Sequence, residues 1–270
     1  YAFNFVFKKT PLGFKAYQMI EILILSLIQG ITEFLPVSSS SHLIIISEYQ
    51  NFQNQSLSID VSLHIGSFIA VLSYFHKDVI NFFRERDLLI KIILASMPVI
   101  LIGFILVETN TIEKLRNIKI IGWTTLIFGI LLYLSDKFKL ENNLNNGFTF
   151  KFAIIIGFYQ VLSLVPGVSR SGITITAARF LNFKRFDAAK ISFLLSIPTL
   201  GGVSFFGIKN IVMSPEINVS IISILSIFLS FIFSLITIKY FLEFIQNFSL
   251  KIFVIYRIIL GLSLLFIAYA

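Results

Sequence analysis

The sequence contains no cysteine, little charge and only one tryptophan. The absence of cysteine excludes disulfide scaffolds, thiolate nucleophiles and cysteine-ligated zinc sites. Charged residues make up 13% of the 270 residues, against about 25% in a soluble domain, while hydrophobic residues reach 56% and the mean hydropathy is +0.89. One globular core cannot remove that much apolar side chain from water. The composition predicts an integral membrane protein, which excludes cytosolic enzymes and disordered tails.

Acidic residues are also scarce, since 14 Asp and Glu stand against 22 Lys and Arg, which gives a net charge of +8. In a membrane protein such an excess is typical of basic loops that face anionic lipid. The basic residues form no block long enough to bind a nucleic-acid backbone, so we expect no nucleic-acid partner. They occur in most of the loops, and the positive-inside rule therefore does not fix the orientation of the chain.

Six stretches are apolar enough to cross a bilayer as helices, which takes about 20 residues each. The sequence therefore predicts an all-α, polytopic membrane protein with a single embedded domain over residues 19–270. Residues 1–18 are interpreted as an N-terminal extension or an interfacial segment. The predicted spans are Ile59–Phe75, Leu88–Val107, Ile118–Leu134, Ile191–Ile208, Ile217–Ile238 and Ile252–Ala270.

Two further apolar stretches, Ile20–Ile46 and Phe152–Phe180, are interrupted in the middle by proline and small hydroxyl residues. Non-helical backbone at membrane depth is tolerated only when protein buries it or when it lines a wet cavity. Interrupted segments at matching places in two halves of a chain point to a binding site between repeats. We interpret both stretches as re-entrant helix–loop–helix segments.

The two interrupted stretches correspond at an offset of 130 residues, which aligns Pro36 with Pro166 and Ser39 with Ser169. This predicts an internal duplication with halves at about 19–140 and 150–270. Each half holds one interrupted segment and three spans. Because three is odd, the second half starts at the opposite face of the membrane, so the predicted repeat is inverted.

The second interruption reads Pro166-Gly-Val-Ser-Arg-Ser-Gly-Ile-Thr174 and contains Arg170. Glycines let the backbone approach a ligand, and a loop that leads into a helix N-terminus offers N–H donors to an anion. Arginine adds a planar fork that matches phosphate oxygens, and the hydroxyl groups add further donors. The pattern predicts a phosphate-binding loop inside the membrane.

The first interruption places Glu33 and His42 on either side of a run of four serines. A charge at the bilayer centre costs roughly 2.5–3.5 kcal/mol, so Glu33 and Arg170 each need a partner or a task. Glu33 can hold a divalent cation or orient His42, and His42 can activate a hydroxyl group, attack phosphorus or protonate a leaving phosphate. The structural alternatives are an ion pair between Glu33 and Arg170, a packing role for His42, and helix capping by the serines. His64 either lines the same cavity or packs between helices, and His76 is expected in a solvated loop.

These motifs together resemble one family, the undecaprenyl-diphosphate phosphatases of bacteria, also called bacitracin resistance proteins. The similarity extends from about Met19 to Ala270. Its elements are Gln29-x-x-x-Glu33, the run from Glu33 to His42, the run from Pro166 to Thr174, Ser192–Pro198 and Ile255–Arg257.

The resemblance implies six transmembrane helices plus two re-entrant pairs in an inverted repeat. It implies hydrolysis of the terminal phosphate of a C55 isoprenoid diphosphate, which recycles the lipid carrier of peptidoglycan synthesis and confers bacitracin resistance. It further implies a place in the bacterial inner membrane, a site that faces the periplasm, and a divalent cation, Mg²⁺ or Ca²⁺. The partners would be the lipid substrate and the bilayer, and a homodimer is left open.

Carried over residue by residue, the resemblance implies three groups of site residues. The nucleophile is left open between Ser39, assisted by His42, and His42 itself. The implied catalytic residues are Glu33, Ser39, His42 and Arg170; the diphosphate-binding residues are Ser169, Arg170, Ser171, Gly172 and Thr174; the metal ligands are Glu33 and Gln29.

The chain departs from the family pattern at two positions. Ser41 stands where members usually have glycine. Glycine would allow positive φ at this position and serine tolerates it less well, so we expect a slightly different loop. Gln29 stands where many members have glutamate, so we expect weaker or different metal coordination.

Two other functions compete with this one. Inverted repeats with broken helices are also transporter architecture, so a transporter or flippase of prenyl phosphate lipids is the alternative. The membrane lipid phosphatases that use a phosphohistidine are excluded, because residues 171–176 after Ser169 and Arg170 contain no histidine.

Overall fold

The computed structural model of the chain describes residues 11–50, 57–82, 86–109, 111–137, 142–213 and 221–270. The first ten residues of the predicted N-terminal segment and the start of the predicted span at Ile217 lie outside the described residues. The helices are α1 (Pro11–Thr32), α2 (Ser39–Gln50), α3 (Leu57–Tyr74), α4 (His76–Phe82), α5 (Arg86–Glu108), α6 (Thr111–Leu115), α7 (Ile118–Ser135), α8 (Leu144–Gly147), α9 (Phe150–Val161), α10 (Arg170–Phe180), α11 (Arg185–Met213), α12 (Ile221–Asn247) and α13 (Lys251–Tyr269).

Among the described residues, five helices are long and apolar enough to cross a membrane, namely α5, α7, α11, α12 and α13. A sixth span results if α3 and α4 are taken together, although the chain bends by 77° between them. The prediction of an all-α, polytopic membrane protein with about six spans is therefore confirmed. Large apolar side chains on these helices are exposed, as expected of surfaces that face lipid.

Both interrupted stretches are helix–loop–helix segments. The first helix, α1, ends at Thr32 and the chain resumes as α2 at Ser39. In the second segment, α9 ends at Val161, one 3₁₀ turn follows at Leu162–Leu164, and α10 begins at Arg170. In each segment the two helices contact each other, so the chain turns back at the break. The proline-containing loops thus lie at the tips of two hairpins.

The packing of the helices has a two-fold correspondence. Helix α1 packs on α12 as α9 packs on α5, and α3 packs on α12 as α11 packs on α5. The pairs α3–α11 and α7–α13 correspond to themselves when the halves are exchanged. This is the arrangement expected when two copies of one hairpin and three spans interlock. The predicted boundaries of the halves stay predictions.

Small residues allow close packing between α3 and α12. A Cβ atom added at Gly66 would lie 2.4 Å from the Ile227 carbonyl oxygen, so this helix crossing requires glycine. Beside it, the Ser67 hydroxyl group is 3.2 Å from that of Ser230 and 3.0 Å from that of Ser234. Small residues and interhelical hydroxyl bonds are typical of membrane helix contacts.

An aromatic cluster lies beneath the first hairpin. The Phe34 ring at the tip packs edge-on against Phe193 of α11 at 5.3 Å, and Phe193 packs against Phe241 of α12 at 5.8 Å. Phe241 continues to Phe253 of α13 at 5.4 Å. These buried rings fill the space on one side of the two loops.

Candidate active site

In each interrupted segment, the loop between the two helices ends at a serine with positive φ. The second helix begins at the next residue. Ser38 has φ = 76° and precedes α2, whereas Ser169 has φ = 73° and precedes α10. Ser38 therefore corresponds to Ser169, and Ser39 corresponds to Arg170. The predicted alignment of Ser39 with Ser169 is wrong at this point, because the second loop has one more residue, Gly167, between its proline and its cap serine.

Ser41, which stands where the family usually has glycine, does not itself adopt positive φ. Among the described residues other than glycine, only Ser38, Ser169 and Asn182 have positive φ, and Ser41 lies inside α2. The Ser41 side chain is buried, and its hydroxyl group is 2.9 Å from that of Ser38. Serine at this position therefore supports the strained residue of the loop.

The Glu33 carboxylate is the centre of the site. Its Oε1 accepts a bond from Arg170 Nη2 at 2.9 Å, which joins the two loops. Its Oε2 accepts from Ser39 Oγ at 2.7 Å and from Gln29 Nε2 at 3.1 Å. Four of the predicted residues are thus brought together around one buried charge.

The Arg170 side chain is fixed on three sides. Besides Glu33, it donates from Nη1 to the Ser192 carbonyl oxygen at 3.2 Å, and it lies 6.0 Å from the centre of the Phe34 ring. The ion pair considered in the sequence analysis as a structural alternative therefore forms. Removing one member of such a buried pair costs about 3–5 kcal/mol, because the other charge remains uncompensated.

The ion pair lies in the wall of a cavity of about 200 Å³. A wet polar cavity within otherwise apolar helices is where the cost of intramembrane charge is tolerated. The lining residues come from both loops and from three spans: Thr32, Glu33, Ser38, Ser39, Ser40, His64, Val99, Ser163, Leu164, Ser169, Arg170, Thr199, Leu200 and Val203.

The predicted diphosphate-binding residues divide into two groups. Ser169 and Arg170 line the cavity. Ser171 and Thr174 are buried behind it, where the Ser171 hydroxyl group donates to the Leu35 carbonyl oxygen at 2.7 Å. Thr174 donates to Ser192 Oγ at 2.7 Å, and the Gly172 N–H donates to Ser169 Oγ at 3.1 Å. These three residues hold the loop in shape.

The three histidines lie in different surroundings. His64 lines the cavity, with Nδ1 2.7 Å from the Asp60 carbonyl oxygen. His42 lies outside the cavity lining, with Nδ1 2.6 Å from the Ser38 carbonyl oxygen and Nε2 bonded to the Tyr256 hydroxyl group. His42 therefore contacts the backbone of the strained serine, one residue away from Ser39. His76 is exposed, as expected, but it is the first residue of α4 and does not lie in a loop.

The residues around Glu33 fit a divalent cation held together with a ligand. The described residues contain no group of three or more His, Asp or Glu side chains that could hold a metal ion without other ligands. Gln29 Oε1, however, is buried and has no hydrogen-bond partner among them. Mg²⁺ is commonly bound by one or two carboxylates plus substrate phosphates. A carboxylate, an amide oxygen and a diphosphate form such a donor set.

Sequence reasoning assigned no role to three residues that touch the site, namely Ser192, Tyr256 and Arg257. Arg257 is fully buried and donates hydrogen bonds to both loops. A charge within the apolar stretch of α13 was the available signal, since such residues are rarely without a task.

The arrangement is suited to phosphoryl chemistry. A guanidinium group and a cap serine can hold phosphate oxygens, while a hydroxyl group bonded to a carboxylate can attack phosphorus. All of these groups face one cavity whose surroundings are apolar.

Comparison with known proteins agrees with this chemistry. A family model described as bacitracin resistance protein BacA matches residues 22–263. The chain is 49% identical to the undecaprenyl-diphosphatase of Pelagibacter ubique over 253 residues, which cover 93% of this chain and 98% of that protein. It is 43% identical to the undecaprenyl-diphosphatase of Saccharophagus degradans over 89% of this chain and 94% of that protein. It is 37% identical to the undecaprenyl-diphosphatase of a Jannaschia species over 92% of this chain and 98% of that protein.

Proposed function

The chain belongs to the bacitracin resistance protein BacA family, and on this premise we propose that its cavity hydrolyses undecaprenyl diphosphate to undecaprenyl phosphate and inorganic phosphate. The protein is a multi-pass membrane hydrolase. Its reaction returns the lipid carrier to peptidoglycan synthesis and underlies bacitracin resistance. The observation that carries the proposal is the buried Glu33–Arg170 pair, which joins the two loops beside the Ser39 hydroxyl group.

Substrate binding begins with an exchange of partners. Arg170 donates a hydrogen bond to Glu33, and the terminal phosphate of the lipid competes for the same guanidinium group. When Arg170 turns to the phosphate, its bond to Glu33 opens, and the Glu33 carboxylate keeps the bond from the Ser39 hydroxyl group. Ser169, in the same wall of the cavity, donates a further hydrogen bond to the phosphate.

The nucleophile that the geometry supports is Ser39. Its hydroxyl group faces the cavity and already donates to Glu33, whereas His42 lies outside the cavity lining. Ser39 Oγ forms a bond to the terminal phosphorus, the bridging P–O bond breaks, undecaprenyl phosphate leaves, and the Ser39 proton passes to Glu33. Glu33 gives this proton to the departing undecaprenyl phosphate. Water then attacks the phosphoserine, its proton passes through Glu33 to Ser39 Oγ as the P–O bond to the serine breaks, and inorganic phosphate is released. Arg170 stabilises the charge on the phosphoryl oxygens in both steps.

Glu33 and Gln29 would hold a divalent cation, Mg²⁺ or Ca²⁺, jointly with the diphosphate. The cation would supply neutralisation of the phosphate charge. The unpartnered Gln29 Oε1 supports this proposal.

We also propose that the protein lies in the bacterial inner membrane with the cavity open to the periplasm. The substrate's prenyl tail would lie among the apolar side chains at a lateral opening. A homodimer stays a prediction.

The experiment that tests the function measures phosphate release from undecaprenyl or farnesyl diphosphate by the detergent-purified chain. We expect release with Mg²⁺, none with EDTA, and a loss of at least about a hundredfold for Arg170→Ala, the size expected for a principal electrostatic group. Size-exclusion elution and thermal unfolding control for folding, since the variant leaves Glu33 unpaired. Intact wild-type protein without phosphate release would contradict the proposal and favour the transporter alternative, which a flux assay in liposomes would then test.

A further inference from the structure

Arg257 of α13 contacts both of the loops that interrupt the two helix–loop–helix segments. Its side chain is fully buried, with 0% exposure. Nη1 donates to the Pro36 carbonyl oxygen of the first loop at 3.1 Å and to the Val168 carbonyl oxygen of the second loop at 3.0 Å. Nη2 donates to the Gly167 carbonyl oxygen at 2.8 Å, and Nε donates to the Thr125 carbonyl oxygen of α7 at 3.2 Å. One side chain thus holds three separate parts of the backbone.

The hydrogen bonds of Arg257 compensate its buried charge and also satisfy carbonyl groups that have no helical partner. Within the part of the chain that the structure describes, no carboxylate forms an ion pair with Arg257, so its charge is compensated by carbonyl dipoles. Carbonyl groups of a broken helix equally lack partners inside a membrane, where no water replaces the helical bonds. A guanidinium group offers five donors in a fixed planar fork, which an ammonium group does not. The site therefore fits the guanidinium group of arginine better than the ammonium group of lysine.

Two glycines make room for this side chain. A Cβ atom on Gly172, in the first turn of α10, would lie 2.8 Å from Arg257 Nη1. A Cβ atom on Gly129 of α7 would lie 3.0 Å from the Arg257 Cβ atom. The packing around Arg257 is thus as closely fitted as its hydrogen bonds, and little movement of the guanidinium group is allowed.

We infer that Arg257 is a positioning residue for the hydrolysis, which fixes the loop carrying Ser39 relative to the loop carrying Arg170. The inference rests on the proposed function. The direct bond between the loops, Glu33 to Arg170, has to open when a phosphate takes Arg170. The bonds of Arg257 go to backbone carbonyl groups outside the cavity lining, so they persist while the reacting groups change partners.

The first test replaces Arg257 by lysine, which keeps the charge but removes the fork. The matched control is Arg179→Lys, because Arg179 is also fully buried but bonds to Phe183 and Asp136 away from the loops. We expect Arg257→Lys to lower kcat at least about tenfold with KM changed less than about threefold, since misplaced reacting groups slow the chemical step rather than binding. We expect Arg179→Lys to keep kcat within about twofold of the wild type. An equal loss in the two lysine variants would overturn the inference.

The second test leaves Arg257 in place and disturbs it from α7. Gly129→Ala pushes on the Arg257 side chain without removing any hydrogen-bonding group, and Gly202→Ala is the control because its Cβ atom would have nothing within 4 Å. We expect Gly129→Ala to lower kcat by about threefold to tenfold in the wild type and not further in the Arg257→Lys background, because both changes act through one group. Additive losses would overturn the inference. If Arg257→Lys does not fold, Gly129→Ala decides alone, and turnover equal to that of Gly202→Ala overturns the inference.

The wild-type measurement separates this inference from the proposed function. A folded wild-type chain that releases no phosphate counts against the function itself. An active wild type whose turnover is unaffected by Arg257→Lys and Gly129→Ala overturns only the role of Arg257.

Discussion

At the scale of single residues, the three histidines of the chain form a natural series. His42 contacts the backbone of the strained Ser38, His64 lines the cavity, and His76 is exposed. We expect His42→Ala to lower phosphate release at least about a hundredfold, the size of the loss when reacting groups are misplaced, and His64→Ala to lower it about tenfold. His76→Ala is the control and should match the wild type. Near-normal turnover of His42→Ala would remove that residue from the mechanism.

Gln29 offers a residue-scale test of the proposed cation. Its amide donates to Glu33 and leaves Oε1 unpartnered. Gln29→Glu replaces this amide by a second carboxylate. When no cation is bound, the two carboxylates repel each other, and a bound cation relieves this repulsion and is therefore held more strongly. We expect the Mg²⁺ concentration for half-maximal turnover to fall about tenfold, with turnover in EDTA still absent. An unchanged Mg²⁺ dependence would mean that Gln29 is not a ligand.

The cap serines illustrate where sequence reasoning fails at this scale. The motifs around Glu33 and Arg170 were sufficient to predict that both segments break and that charged groups meet there. They were not sufficient to locate the strained residue, because one extra residue in the second loop shifts the alignment by one position. Likewise, no pattern indicated that Ser171 and Thr174 face away from the cavity, since this depends on the Leu35 and Ser192 oxygens of other segments.

At the scale of elements, apolar length predicted the spans because a bilayer imposes both a length and a composition on each helix. The pairing of the helices had no such signal in the sequence. It depends on positions such as Gly66, where only the missing side chain permits the close approach to Ile227 and Ser230.

This crossing can be tested by stability. We expect Gly66→Ala to lower the thermal unfolding temperature in detergent, because overpacking a helix contact costs about 1–3 kcal/mol. Gly202→Ala should leave that temperature unchanged or raise it slightly, since its Cβ atom meets no neighbour and alanine favours helix. Equal unfolding temperatures for the two variants would contradict the close contact between α3 and α12.

At the scale of the whole molecule, two hollows adjoin the tip of the first hairpin. One hollow is the polar cavity that contains Arg170. The other is an apolar groove of about 600 Å³ on the far side of the first tip, lined by residues that include Leu35, Tyr240 and Glu243. Phe34 and its aromatic neighbours pack beside this tip, and Phe241 of the same cluster lines the groove, so we expect these rings to separate the two hollows. Such a barrier would distinguish a one-sided hydrolase from a transporter, which has to open its site to both faces.

Because the chain contains no cysteine, single cysteines can report which face reaches each hollow. Val203 lines the cavity near the end of α11. Since α12 is the next span, we expect it to start on the face where α11 ends and to carry Glu243 near the opposite face. In intact spheroplasts we expect a membrane-impermeant maleimide to label Val203→Cys and not Glu243→Cys, with the reverse in inside-out vesicles. Inorganic diphosphate should slow the labelling of Val203→Cys alone. Labelling of Val203→Cys from both faces would mean that the aromatic barrier opens, and the molecule would then behave as a transporter as well as a hydrolase.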